Sequence, residues 1–392
     1  MSTATRRFPL TDWTVVVPVV ALVALVFSWG RDLPGFAVGL VALCLAGAVL
    51  AAVHHAEVVA HRVGEPFGSL VLAVAVTVIE VALIVTLMAD GGDKTASLAR
   101  DTVFAAVMIT CNGIVGLSLL VGALRNRVAV FNAEGSGAAL ATVATLAVLS
   151  LVLPTFTTSK PGPEFSTAQL AFAAVASLAL YGLFIAVQTV RHRDYFLPVD
   201  TGAVATGTPA TATASGAPGP KRTDDGDGDG DGDRDHAAPP TARAALVSLG
   251  LLLVALIAVV GDAKAVSPTI EAAVAGAGLP NAVVGVIIAL LVLAPETLAA
   301  VRAARRDRVQ TSLNLGYGSA IASIGLTIPA IALASVWLSG PLLLGLGPVH
   351  MVLLALTVVV SALTIAPGRA TLLQGGVHLV VLAAYLFLAV SP

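Results

Sequence analysis

The sequence predicts an all-α polytopic membrane protein with about eleven transmembrane helices. Three observations carry that prediction. Of 392 residues, 57% are hydrophobic and only 11% charged, with a mean hydropathy of +0.95, whereas a soluble domain carries about 25% charged residues. Apolar runs longer than about 17 residues, each sufficient to cross a bilayer, recur along the chain. The loops between those runs carry Lys and Arg unevenly, as membrane topology requires.

Taken in order, the runs cover residues 13–29, 34–53, 66–89, 102–124, 137–153, 168–190, 243–261, 279–301, 311–334, 347–365 and 371–390. Arg6 and Arg7 precede the first run, as in a signal peptide, but Trp13 to Trp29 lacks a small-residue cleavage site and further spans follow. It reads as a retained first helix. Between Ala334 and Gly347 the pattern is broken by Gly340-Pro341 and Gly345-Leu346-Gly347-Pro348. Cys44 and Cys111 both lie inside apolar runs, which speaks against a disulfide framework.

Eleven spans with a cytoplasmic N-terminus place 16 of the 21 Lys and Arg residues on the inside and 5 on the outside. Adding or removing one span scrambles this split, so the expectation is N-terminus in and C-terminus out. The Arg302-to-Arg308 cluster is then the inside anchor of the eighth span, not a nucleic-acid patch. Residues 191–242 form a cytoplasmic linker, rich in Thr, Ala, Gly, Pro and Asp, with almost nothing to bury and therefore expected to be disordered. Its Asp225, Asp227, Asp229 and Gly230 match the opening of an EF-hand loop, but His236 stands where a bidentate glutamate is needed. A solvated acidic tract is the better reading.

The linker splits the chain into an extra N-terminal helix (1–33), a first five-helix repeat (34–190) and a second (243–392). The two repeats match around Glu80 and Glu296, each the only ionisable residue at the centre of its span. The following spans carry Asn112-Gly113-Ile114-Val115-Gly116 and Asn314-Leu315-Gly316-Tyr317-Gly318. Both repeats end in similar aromatic text, at Tyr181/Phe184 and Tyr385/Phe387. Five is an odd number, so the copies enter the membrane from opposite sides, the inverted-repeat plan of many secondary transporters.

A glutamate at the centre of a span costs about 2.5–3.5 kcal/mol on insertion scales and marks a functional site by default. Opposed insertion brings Glu80 and Glu296 to similar depth. Asn112, Asn314, Ser319 and Thr77 can add neutral oxygens, which suit a hard cation. Pro295 is expected to break its helix and free carbonyls beside Glu296, while Gly113, Gly116, Gly316 and Gly318 allow close backbone approach. Such a site holds either a divalent cation or protons, titrates as a coupled pair, and is penalised when ionised and empty. Obligatory exchange needs no more than that. The asparagines also fit a role as interhelical glue. His54, His55 and His61 with Glu57 suggest a metal or pH-sensing patch, with solvated interfacial histidines the better reading. His378 is deep enough for a proton relay, but a satisfied buried imidazole fits it better.

These same residues carry a resemblance. Gly64 to Ile84, Asp101 to Gly122, Ala294-Pro295-Glu296 and Val309 to Ser319 resemble the two α-repeats of the calcium/cation antiporter superfamily, nearest the bacterial Cha-type Ca²⁺(Na⁺, K⁺)/H⁺ antiporters. The resemblance implies that Glu80 and Glu296 bind the exchanged cation and protons, with Asn112, Asn314 and Ser319 at the matching family positions. The vacuolar version places Gly-Asn-Ala-x-Glu around each glutamate; here Val78-Ile79 and Ala294-Pro295 stand instead. The expected function is secondary antiport of Ca²⁺, Na⁺ or K⁺ against H⁺, with membrane lipid and inorganic ions as partners and no resident cofactor. The alternatives are a Na⁺/Ca²⁺ exchanger without proton coupling and a membrane-embedded carboxylate enzyme.

Overall fold

The structure is a computed structural model that describes residues 12–31, 33–64, 67–91, 95–199, 240–338 and 340–391. Most of the linker, including the Gly/Asp tract, lies outside the described residues, as do Glu65-Pro66 and Lys94.

Eleven helices follow one another among the described residues. They are α1 (Trp13–Ser28), α2 (Gly35–Val63), α3 (Phe67–Gly91), α4 (Leu98–Asn126), α5 (Ala133–Phe156), α6 (Thr167–Arg191), α7 (Ala242–Gly276), α8 (Ala282–Arg305), α9 (Val309–Ala334), α10 (Pro348–Ile365) and α11 (Leu372–Val390). Nine are long and apolar enough to cross a membrane, and α1 and residues 73–89 of α3 are two shorter apolar helices. This is a multi-pass membrane protein.

Local chemistry sets several helix starts. Asn132 caps α5 by accepting from the amides of Glu134 and Gly135, and Thr241 caps α7. Ser166 with Gln169 forms a capping box at α6, and Thr371 with Gln374 forms one at α11. Two helices run well past their expected ends. α2 continues through His54, His55 and His61 to Val63, and α7 continues through Asp262 and Lys264 to Gly276. Hydropathy ended both too early because a few polar residues do not break a helix whose backbone bonds are all internal.

Contacts between loops place several helix ends on common sides. Ala129–Val130 (β1), after α4, pairs antiparallel with Arg369–Ala370 (β2), after α10. Arg125 donates to the carbonyl of Arg305, so the α8–α9 turn lies on the same side. On the other side, the segment before α10 is an extended strap. Its Leu343 amide donates to Ala96 after α3, and its Gly345 amide to Pro163 after α5. Leu344 and Leu346 bury their side chains there. The Gly and Pro residues that obscured this stretch in the sequence thus form an ordered connection.

The central helices exchange partners between the halves. α3 packs on α9, and α8 packs on α4. Gly285 of α8 presses against α4, where a Cβ would come within 3.0 Å of the Thr102 amide nitrogen. Gly316 of α9 meets Ile114 and Val115 of α4. Below these contacts, Ser118 of α4 and Ser312 of α9 share a 2.5 Å hydrogen bond, and Ser312 also bonds the Ala300 carbonyl of α8.

Candidate functional site

Glu80 is buried near the middle of α3. Its Oε1 accepts a 2.7 Å hydrogen bond from Ser323 of α9. Thr327, one turn further along α9, stands beside the same carboxyl group, its buried hydroxyl without a hydrogen bond. Ser319, Ser323 and Thr327 recur every four residues, which lines them up on one face of α9. Ser319 is half-buried at the start of this hydroxyl stripe, and Thr77, one turn before Glu80, is buried. Ser323 and Thr327 were overlooked in the sequence, although a four-residue polar period inside an apolar span is the signal that marks them.

Glu296 lies in the middle of α8, half-buried as a residue, with its Oε2 fully covered and without a hydrogen-bond partner. It is within electrostatic reach of Glu80 and of Glu57 on α2, and Glu57 in turn is within reach of His54, His61 and Arg302. The register that pairs Asn112 with Asn314 puts Val121 where Ser323 stands, so no equivalent serine serves Glu296. The two carboxyl groups are therefore unlike. One is held by a hydroxyl, and the other has a buried oxygen with nothing bound to it.

The asparagines are engaged elsewhere. Asn112 Nδ2 donates to Thr357 of α10 at 2.9 Å, and its Oδ1 lies 3.3 Å from His378 Nδ1 on α11. His378 Nε2 lies 3.3 Å from the Thr364 hydroxyl. A neutral imidazole protonated at Nδ1 satisfies every member, donating to Asn112 and accepting from Thr364. His378 is thus a satisfied buried histidine in an α4–α10–α11 network. Asn314 Nδ2 donates to the Phe196 carbonyl at 2.6 Å, and its Oδ1 accepts from Gln310. It fastens the start of α9 to the short turn after α6 instead of facing a glutamate.

The expected helix breaks require correction. α8 runs unbroken from Ala282 to Arg305 through Pro295, and α9 runs unbroken through Gly316 and Gly318. A proline frees only one carbonyl, and the turns on either side hold their own bonds. π-Helical segments occur instead in α4 (Ile109–Ile114, containing Asn112 and Gly113), in α5 (Val148–Val152) and at the end of α6 (Val187–Arg191). Such bulges inside helices concentrate at functional sites. Gly113 and Gly116 admit α11, whose Leu382 and His378 would meet an added Cβ at 3.0 Å, but Gly318 has open space around it. At the N-terminal side, His55 Nε2 lies 2.8 Å from the Thr14 carbonyl, so this histidine ties α2 to α1, with the His54 ring edge-on beside it.

A cavity of about 500 Å³ opens between the end of α3, the start of α4, the end of α7 and the start of α8. Asp101, Glu271, Asn281, Ser97 and Thr95 line it, together with Leu87, which lies two turns along α3 from Glu80. Asp101 is paired with Arg100 and accepts from Ser97, both at 2.8 Å.

A multi-pass helical bundle that buries one carboxyl group near the middle of α3 and another near the middle of α8, within electrostatic reach of each other, has the make-up of a membrane ion transporter. The chain belongs to the sodium/calcium exchanger protein family, whose model matches residues 32–190 and 247–391, and with it to the calcium/cation antiporter superfamily. It is a transporter and not an enzyme. A putative ionic transporter, y4hA, of Sinorhizobium fredii is 43% identical over 97% of this chain and 96% of its own length. The sodium-potassium/proton antiporter ChaA of Escherichia coli is 34% identical over 96% and 95%. The fold matches a crystal structure of the H⁺/Ca²⁺ exchanger CAX with a TM-score of 0.67 at 15% identity, over 95% of this chain and 86% of that one. The native YfkE structure matches with a TM-score of 0.65 at 14% identity, over 95% and 96%.

Proposed function

We propose that the protein exchanges Ca²⁺ and/or Na⁺ or K⁺ for H⁺ by alternating access, at a site built on Glu80 and Glu296. The observation that carries this reading is the buried, unbonded Oε2 of Glu296 within electrostatic reach of Glu80. Two ionised carboxylates there, with Ser323 donating to Glu80 alone, are a buried like-charge pair that either a cation or protons must neutralise. One divalent ion and two protons do so equally, which makes them competitors for one site. An empty, doubly charged site is penalised, and that penalty ties the inward and outward movements together.

In this reading the two halves, 34–190 and 243–392, are inverted repeats, and the partner exchange of α3 with α9 and α8 with α4 supports that relation. The N-terminus is cytoplasmic and the membrane is the bacterial inner membrane. The acidic recess between α3 and α8 is then the external approach for cations. The proton arm draws support from the relatives, one named as a sodium-potassium/proton antiporter and a more distant one, 24% identical over 76% of this chain and 76% of its own length, as a Ca²⁺/H⁺ antiporter of Aphanothece halophytica. Everted vesicles with an imposed proton gradient test it, since adding the transported cation must dissipate the gradient. A Na⁺/Ca²⁺ exchanger without proton coupling would instead leave the gradient untouched.

A further inference from the structure

Asp262 is a buried carboxyl group for which the exchange site has no use. It lies within α7, fully buried, and both carboxylate oxygens are covered without a hydrogen-bond partner. α7 packs along α2 more extensively than any other pair of helices in the molecule, with α1 and α3 against it as well. The next residue back, Gly261, is where α1 closes in. A Cβ there would lie 2.4 Å from Leu25 of α1, and Gly47 of α2 is similarly close to Val17. The helix without a counterpart in the second half therefore seals the α2–α7 seam at the depth of Asp262.

Among the described residues, no charge stands close enough to Asp262 to balance it when ionised. α1 contains no titratable residue between Trp13 and Ser28. α2 contributes Cys44, His54, His55, Glu57, His61 and Arg62, of which the Cys44 thiol lies within electrostatic reach of Asp262. His55 is spent on the Thr14 carbonyl. α3 contributes Glu80 among its described side chains, and α8 contributes Glu296, Arg302 and Arg305. On α7 itself stand Arg243, Lys264 and Glu271. Lys264 is exposed, two residues on and so about 200° round the helix from Asp262. Glu271 lines the outer recess and accepts from Ser267. A carboxylate with neither donor nor counter-charge in a membrane interior is avoided by leaving the acid neutral.

We infer that Asp262 is a proton-binding site separate from the glutamate pair, occupied while α7 lies sealed beneath α1 and against α2, and emptied when that seam opens to water. The step is a plain protonation, with the proton taken from and returned to bulk water through the opened seam. It makes the packing of α7 depend on proton concentration, independently of which cation occupies the glutamates.

The test uses the full-length protein in liposomes and infrared difference spectra between acid and alkaline buffers, where a protonated carboxylic acid absorbs apart from carboxylates. The Glu80→Gln/Glu296→Gln double variant is expected to keep a protonated-carboxyl band at neutral pH, and adding Asp262→Asn is expected to remove it. A band that Asp262→Asn leaves unchanged overturns the proposal. Should the double variant not assemble, Asp262→Asn against the unmodified protein reads the same band, reduced if the proposal holds and unchanged if it fails. A second arm compares rate against pH for cation-driven proton flux. Asp262→Asn, fixed in the neutral form, should flatten that curve by removing one titrating group, and an identical curve contradicts the proposal. Only this second arm rests on the antiport reading. The infrared result stands even if no proton flux is found.

Discussion

Ser323 Oγ donates a 2.7 Å hydrogen bond to Glu80 Oε1 and so joins α9 to the helix that carries the first glutamate. Glu296 has no such donor on its buried Oε2. The pair is therefore asymmetric, although the sequence around the two glutamates is repeated. In the proposed exchange, a hydroxyl that donates to the Glu80 carboxylate would bear on the binding of both cation and proton.

Replacing this serine should weaken the site without unfolding the bundle. A hydrogen bond to a charged group contributes about 1.5–3 kcal/mol, so Ser323→Ala should lower apparent cation affinity by about tenfold or more. Thr327→Ala removes a hydroxyl that makes no hydrogen bond and should have a smaller effect. Concentration–response curves in reconstituted vesicles check the order. Equal effects of the two variants would place the serine outside the site.

The Asn112–His378–Thr364–Thr357 network should register in stability. Asn112→Ala leaves buried partners on α10 and α11 unsatisfied, at a cost of about 1–3 kcal/mol. A lower melting temperature in detergent, with cation affinity close to that of the unmodified protein, is the expected result. A large loss of affinity with unchanged melting would make Asn112 a ligand.

Two glycines should respond oppositely to added bulk. A Cβ at Gly375 would lie 2.7 Å from the Leu120 amide nitrogen and 3.0 Å from the Gly116 carbonyl, both rigid backbone atoms. Gly375→Val should therefore prevent α11 from docking on α4 and abolish the folded protein in the membrane. Gly318 has nothing within 4 Å of the same position, so Gly318→Ala should express and transport normally. Fluorescence-detected size exclusion and vesicle transport together check the contrast.

Membrane sidedness is open to cysteine labelling. In a background with Cys44 and Cys111 replaced by serine, Arg369→Cys should react with an impermeant maleimide only from the cytoplasmic side. Lys160→Cys should react only from the outside. The eleven-helix alternation requires opposite results for these two positions, so labelling of both from one side would contradict it.

The sequence made some of this legible and hid the rest for physical reasons. All eleven helices were visible because lipid demands long apolar runs, and Glu80 and Glu296 stood out because a mid-span carboxylate is expensive. The partners of those glutamates were not visible. Asn112 and Asn314 carry the repeat, but interhelical amides serve packing as readily as binding, and here their hydrogen bonds run to His378, Thr357, Phe196 and Gln310. Ser323 lies one turn beyond Ser319, and only the packing of α9 on α3 reveals which of the two reaches Glu80. Pro295 reads as a break from its chemistry alone, yet the flanking turns keep α8 continuous. Asp262 was missed because the apolar run stops just before it, while the helix does not.

The central claim is that Glu80 and Glu296 together bind either the cation or its replacing protons. Its most direct test is the collapse of an imposed proton gradient in everted vesicles on addition of Ca²⁺, Na⁺ or K⁺. The unmodified protein should dissipate the gradient with at least one of these ions, and Glu80→Gln and Glu296→Gln should each abolish the response while still reaching the membrane. A response that survives either substitution would contradict the account.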